Sequence, residues 1–340
     1  MPYRVNSCFE DFIRFKVNLD PDRVRIARTS RDNLLDNLKQ LCNEGKLPRH
    51  YAEMNVHYGS FARRTKIRPL DDIDLMVCFS ACGGHYMEFQ PNVLYKIKMQ
   101  DGLNIYKDLN DEQGYLNSRK LINYIIRNLS SLRDYKKADM HRNQEAATLQ
   151  LKSYEWNFDI VPCFYAADGF YLIPDGNGNW KKTDPRIDAQ RINHVDAIVK
   201  RNPNTKDLYT FIRLMKYWKR EKWGDSVGSY MFEQMILNFA ERGGMQSDWQ
   251  NSVSQCLRWL EQSIYYPVND PKDMQGNLNT LDKATMDRLS SRAKTDYDAS
   301  KNAVTDEIAS LILKSTIEEA IAYWHGIFGK EFKTYGESYE

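Results

Sequence analysis

The sequence predicts an α+β fold in two lobes, a mixed sheet with flanking helices followed by an almost wholly helical half. Short runs of β-branched, aromatic and alternating apolar residues lie ahead of Asp184-Pro185. Beyond that dipeptide the apolar residues recur with helical spacing. One long amphipathic segment precedes the strands. The boundary is therefore expected near Pro185, with a first lobe of residues 1–185 and a helical lobe of residues 186–340. A chain of 340 residues suffices for one large or two modest domains, at roughly 100–200 residues each.

The early helix is expected from Pro21 to Asn43, because Asp20 can cap it, Pro21 suits its first turn and Gly45 can end it. Its apolar residues Val24, Ile26, Leu34, Leu35, Leu38 and Leu41 suggest one buried face. A short apolar stretch at Met54-Asn55-Val56-His57 leads to Tyr58-Gly59-Ser60, and Phe61-Ala62-Arg63-Arg64 can open a helix. Asp72-Ile73-Asp74-Leu75-Met76-Val77 alternates as a strand. From Gly83-Gly84 to Gly114 periodicity selects no element. A helix is expected from Ser118 to Leu132, then paired strands at Thr148–Leu151 and Phe158–Val161. Phe170–Ile173 should run into the turn Asp175-Gly176-Asn177-Gly178-Asn179. The helical lobe reads as Ile187–Val199, Lys206–Lys222, Ser229–Glu241, Trp249–Ile264 and a last long helix within Ala299–Phe328.

Residues Tyr58 to Leu75 carry the chemistry. On a strand, Asp72 and Asp74 point the same way while Ile73 and Leu75 point into the protein. Two carboxylates on one patch repel unless a cation lies between them, and hard oxygen ligands suit Mg²⁺ or Mn²⁺. Upstream, Gly59 lets backbone approach a ligand closely, Ser60 adds a hydroxyl, and the N–H groups of a helix start attract phosphate. Gly-Ser alone is commonly a turn, and Asp-x-Asp alone is commonly a solvated strand face. The combination is far rarer, and it reads as a triphosphate cradle facing a cation site.

That spacing resembles the signature of the polymerase-beta-type nucleotidyltransferase superfamily. The resemblance implies a third carboxylate from a later strand, and Asp159, inside the run Phe158-Asp159-Ile160-Val161-Pro162, is the preferred match. Glu155 competes, since its even separation would place it on the same face. Leu214-Met215-Lys216-Tyr217-Trp218-Lys219, followed by Gly228-Ser229-Tyr230-Met231-Phe232-Glu233, is similar to the cyclic GMP-AMP synthase/DncV-like nucleotidyltransferases. In that family the lysine and serine hold the donor triphosphate and the tyrosine stacks on its base, which here implies Lys216, Ser229 and Tyr230. Without the family, the same residues read as a helix lysine beside a buried stripe and a core aromatic.

The resemblance further implies two-metal nucleotidyl transfer, with two Mg²⁺ or Mn²⁺ ions held by Asp72, Asp74 and Asp159 in a cleft between the lobes. Ribonucleoside triphosphates, ATP among them, would be joined into a cyclic di- or trinucleotide or a short linear one, with release of pyrophosphate. It also implies bacterial anti-phage signalling, a separate effector that binds the product, and a regulatory partner. Alternative readings are an adenylyltransferase acting on RNA ends, a small molecule or a protein, and a non-catalytic nucleotide-binding scaffold. In the segment Asn179–Pro185, Trp180 or Lys182 either touches substrate or belongs to a surface hairpin.

Composition agrees with these expectations. A net charge of +2 lacks the basic bias of a protein that holds long nucleic acid through phosphates, so the leading reading requires no nucleic acid. No apolar stretch is long enough for a bilayer, and Met1-Pro2-Tyr3-Arg4-Val5 lacks the apolar core of a signal peptide, which predicts a cytoplasmic protein. The 6 cysteines are scattered and read as reduced thiols, and Cys78, Cys82 and His85 lack a second ligand pair for zinc. The polar segment from Lys333 to Glu340 is expected to be mobile.

Overall fold

In a computed structural model, residues 4–91, 93–100, 102–310 and 316–339 are described. The chain divides into two compact units, described separately below: Met1–Asp20, Thr65–Arg68 and Gln190–Glu340 in one, Pro21–Arg64 and Pro69–Ala189 in the other. The helical unit thus also includes the N-terminal residues and a four-residue crossing between Ser60 and Asp72.

The chain opens with helix α1 (Val5–Phe12), which widens into a π-type turn at Ile13–Val17. Helix α2 spans Pro21–Asn43, as its proline start and glycine stop predict. Strand β1 (Val56–His57) leads into α3 (Gly59–Ala62), a single helical turn rather than the longer helix that Phe61–Arg64 could have opened. Arg64 takes a left-handed φ of 63° and ends it. β2 is Asp72–Cys78, and the region that periodicity left open folds as β3 (His85–Gln90), β4 (Leu94–Lys98) and α4 (Asn104–Lys107). Helix α5 (Ser118–Ser130) starts where Asn117 accepts a hydrogen bond from the Lys120 N–H, and it stops two residues short of Leu132. Strands β5 (Asp139–Asn143), β6 (Ala146–Gln150), β7 (Asn157–Tyr165), β8 (Tyr171–Pro174) and β9 (Trp180–Thr183) complete the sheet.

Among the described residues this sheet has 9 strands, in the order β1-β2-β7-β8-β9-β4-β3, with β6 also on β7 and β5 on β6. β7 organises it. It pairs in parallel with β2 from Asn157 to Cys163 and antiparallel with β6 from Asn157 to Ile160, and its last residues Phe164 and Tyr165 pair with β8. The inward residues Ile73, Leu75, Phe158 and Ile160 are at most 1% exposed, leaving the alternate positions to face outward.

The helical unit contains most of α6 (Pro185–Val199), then α7 (Leu208–Lys222), α8 (Ser229–Glu241) and α9 (Trp249–Ser263). Of the last helix expected within Ala299–Phe328, residues 311–315 lie outside the described residues; on either side of them the described residues form α10 (Lys283–Ser310) and α11 (Thr316–Phe328). α10 begins sixteen residues before Ala299 because Asp282 caps it, accepting from the Thr285 N–H at 2.7 Å. One aromatic-rich core includes Phe9, Phe12, Trp218, Phe232, Trp324 and Phe328. The buried indole N–H groups of Trp218 and Trp324 donate to Asp296 and Gln250, each at 2.8 Å.

The terminal segment is not the mobile tail its polarity suggests, as far as the described residues extend. Tyr339 stacks on Phe15 at 5.5 Å and donates its hydroxyl to the Glu331 carbonyl at 2.8 Å, so one aromatic holds the segment down.

Candidate active site

The parallel pairing of β2 with β7 sets Asp74 directly against Asp159 and Asp72 against Asn157. Partners in register project to the same face, so Asp72, Asp74, Asn157 and Asp159 share one side of two adjacent strands. β6 adds Thr148, in register with Asp159, and its hydroxyl donates to Asp159 Oδ1 at 2.6 Å. Glu155 stands apart from this face. Glu155 precedes β7, is exposed, and pairs with Arg23 of α2 through both carboxylate oxygens.

Gly59 is needed against this carboxylate face. Its φ of +74° belongs to the left-handed region, and an added methyl group would overlap Asp74 Oδ2 and stand 2.6 Å from Asp74 Cγ. Ser60 follows in the same turn and is half-buried. The turn places a backbone loop on Asp74, but a one-turn helix is too short to act through a helix dipole. Burial pushes the Tyr58 phenol well above its ordinary range, and the charges of Asp74, Asp159 and Glu145 push it further. Negative charge is thus concentrated around Tyr58.

Among the described residues, no three His, Cys, Asp or Glu side chains form a ready-made metal cluster. The donors on this face nevertheless fit a hard cation. Three carboxylates share it, and Asn157 Oδ1 is buried without a hydrogen-bond partner, an acceptor that a cation or a ligand N–H or O–H would satisfy. Residues Cys78, Cys82 and His85 form no such set. Cys78 is buried on β2 opposite Cys163, Cys82 sits in the following turn and His85 is exposed.

The helical unit presents Lys216, Ser229 and Tyr230, and two of the three are held by acids that the sequence reading did not single out. Lys216, on α7, is 7% exposed, and its ammonium lies 3.4 Å from Glu233 Oε2 on α8. Glu233 is 1% exposed and also accepts the Thr65 hydroxyl at 2.7 Å. Lys216 is therefore no solvated helix lysine. Ser229 is the first residue of α8, after Gly228, and is exposed. Tyr230 donates its hydroxyl to Asp270 Oδ1 at 3.0 Å, and the Lys272 ammonium donates to the Tyr230 oxygen.

Glu233 could have been noticed four residues after Ser229, one helical turn along the same motif. Thr148 and Asn157 gain meaning only from strand register, and Asp270 and Lys272 only from a loop distant in sequence. The segment of Trp180 and Lys182 forms the hairpin strand β9 against β8, with Trp180 turned into the core rather than to the surface or a substrate. Trp180 is 0% exposed, and its indole N–H donates to the Leu116 carbonyl at 2.9 Å. Lys182 lies with its ammonium 4.6 Å from the centre of the Phe170 ring.

A mixed sheet with flanking helices is the nucleotidyltransferase fold. The chain is 38% identical over 337 residues to a probable cyclic nucleotide synthase of Bacillus cereus (strain VD146), covering 97% of this chain and 98% of that protein. It belongs to the cyclic GMP-AMP synthase/DncV-like nucleotidyltransferases, and it is a nucleotidyltransferase. It is also 22% identical over 340 residues to the cyclic AMP-AMP-AMP synthase of Escherichia coli (strain MS 115-1), covering 92% and 95% of the two chains. Among solved structures, E. coli MS115-1 CdnC with ATP superposes with a TM-score of 0.65 at 18% identity, covering 96% of this chain and 98% of that one. The same CdnC in complex with HORMA-deltaN matches equally, with a TM-score of 0.65, 18% identity and the same coverage. E. coli DncV bound to 3'-deoxy GTP has a TM-score of 0.55 at 16% identity, covering 82% of this chain and 69% of that one. No protein-family model matches the chain. No helix of the described residues is long and apolar enough to cross a membrane.

Proposed function

We propose that this chain is a cytoplasmic, metal-dependent synthase that joins ribonucleoside triphosphates, ATP among them, into a cyclic di- or trinucleotide and releases pyrophosphate. The observation that carries the reading is the register of Asp74 against Asp159, with Asp72 two residues earlier on the same face. The relatives named as cyclic nucleotide and cyclic AMP-AMP-AMP synthases support a cyclic product. The CdnC structures with ATP and with HORMA-deltaN support a nucleotide substrate and a regulatory partner. A separate effector would read the product in anti-phage signalling.

Asp72, Asp74 and Asp159 would hold two Mg²⁺ or Mn²⁺ ions, which when bound lower the pKa of the attacking ribose hydroxyl and neutralise charge on the triphosphate. In each transfer the hydroxyl oxygen bonds to the α-phosphorus while the bond from that phosphorus to the bridging oxygen breaks, and pyrophosphate leaves. A second such transfer closes a dinucleotide ring and a third a trinucleotide ring. Thr148 orients Asp159 through its 2.6 Å hydrogen bond. Gly59 brings its turn onto Asp74 with no side chain between, and Ser60 contributes a hydroxyl to the phosphates. Lys216 and Ser229 bind the triphosphate, Glu233 fixes the Lys216 ammonium, and Tyr230 stacks on the base. The protein's share of catalysis is positioning and fixed charge.

The test incubates the purified protein with Mg²⁺ or Mn²⁺ and all four ribonucleoside triphosphates, without nucleic acid, and reads products by mass spectrometry. A cyclic oligonucleotide that disappears in Asp72→Asn/Asp74→Asn supports the reading. A double variant with normal turnover would sink the assignment of these carboxylates.

A further inference from the structure

Between α9 and α10 the chain folds a loop around a single carboxylate. Asp270 is 5% exposed and accepts the backbone N–H groups of Lys272 at 3.3 Å, Met274 at 3.2 Å and Gln275 at 3.1 Å. Its own N–H donates to the Gly276 carbonyl at 2.8 Å, and the Leu278 N–H closes the loop on Val268 at 2.7 Å. Pinned at both ends, the loop directs the Lys272 side chain at Tyr230.

The resulting contacts are mutual. The Lys272 ammonium pairs with Asp270 Oδ1 at 3.1 Å, donates to the Tyr230 oxygen and lies 4.2 Å from the Tyr230 ring centre. The Tyr230 hydroxyl donates to the same Asp270 Oδ1 at 3.0 Å. The lysine and aspartate side chains are 6% and 0% exposed, so the charges meet largely out of water. Burial alone would raise the Asp270 carboxyl, yet the Lys272 charge and its hydrogen bonds hold it below its ordinary range.

We propose that Lys272 and Asp270 are positioning residues for the base of the bound nucleotide. They grip the Tyr230 hydroxyl and so fix the orientation in which the ring meets a stacked base. The inference rests on the reading of Tyr230 as the base-stacking residue. Tyr230 stands on the first turn of α8, so its backbone is set by the helix and its side-chain torsions are what the clamp removes.

The experiment titrates the full chain with ATP, GTP, CTP and UTP in Mg²⁺, carrying forward the tightest binder, and compares variants by calorimetry. Lys272→Met paired with Asp270→Asn removes the clamp without leaving a charge buried alone, and it should weaken binding about tenfold. Tyr230→Phe, which removes only the oxygen the clamp grips, should move affinity in the same direction, and Lys272→Arg should retain most of it. In a Tyr230→Ala background the paired substitution should cost nothing further. Wild-type affinity in both the paired variant and Tyr230→Phe, with Tyr230→Ala weakened, overturns the positioning role and leaves the stacking role intact. An equal loss in both backgrounds shows that Lys272 acts elsewhere and overturns the proposal. Unchanged affinity in Tyr230→Ala removes the stacking role and the inference with it.

Discussion

Gly59→Ala tests the packing of the turn on the carboxylate face with one methyl group. That methyl would overlap Asp74 Oδ2 and stand 2.6 Å from Cγ and 2.9 Å from Cβ. Rotating the carboxylate relieves the first two contacts but not the third, because Cβ moves only with the backbone of β2. Ordinary contact begins near 3.4 Å, so β2 or the turn must yield by about half an ångström, and the carboxylate by more. Alanine at a φ of +74° adds roughly 1–2 kcal/mol of backbone strain. Stability should therefore fall modestly, by a few degrees in the unfolding midpoint. Activity should fall much further, because misplacing a reacting group by about 1 Å costs on the order of 100-fold. The assay pairs a thermal melt with the initial rate of product formation under saturating Mg²⁺ and triphosphate. A variant that turns over at the wild-type rate would refute the claim that Asp74 must sit against this turn.

Two further outcomes follow from buried and paired acids. Glu233→Gln removes the carboxylate that lies 3.4 Å from the buried Lys216 ammonium and should destabilise the helical unit by about 3–5 kcal/mol, as urea unfolding would read; a variant as stable as wild type refutes the pairing. Glu241 has its carboxyl held below the usual 4.5, first by its hydrogen bonds from Arg191, and a lowered acid contributes stability above its unfolded value that is lost as pH falls through its folded value. The unfolding midpoint of Glu241→Gln should accordingly lie below that of wild type at pH 7 and converge with it under acid; a gap that persists at low pH contradicts this assignment.

The residues by themselves determined more of the site than of its setting. Alternation placed Asp72 and Asp74 on one face, since a strand has a period of two whatever it packs against. Proline and glycine punctuation marked both ends of α2 because those residues constrain the backbone locally. Local signals failed where a distant partner made the choice. Trp180 reads as a surface residue until the Leu116 carbonyl and the core claim it, and the C-terminal segment reads as mobile until Tyr339 meets Phe15. The choice between Asp159 and Glu155 required the register of β7 on β2, because both residues satisfy the same periodicity. Thr148, Asn157, Glu233, Asp270 and Lys272 became visible only when strands, helices and a loop far apart in the chain were brought together. A side chain's role in a site depends on which charges and hydrogen-bonding groups lie within a few ångströms, and that is a property of tertiary packing that one-dimensional spacing does not encode.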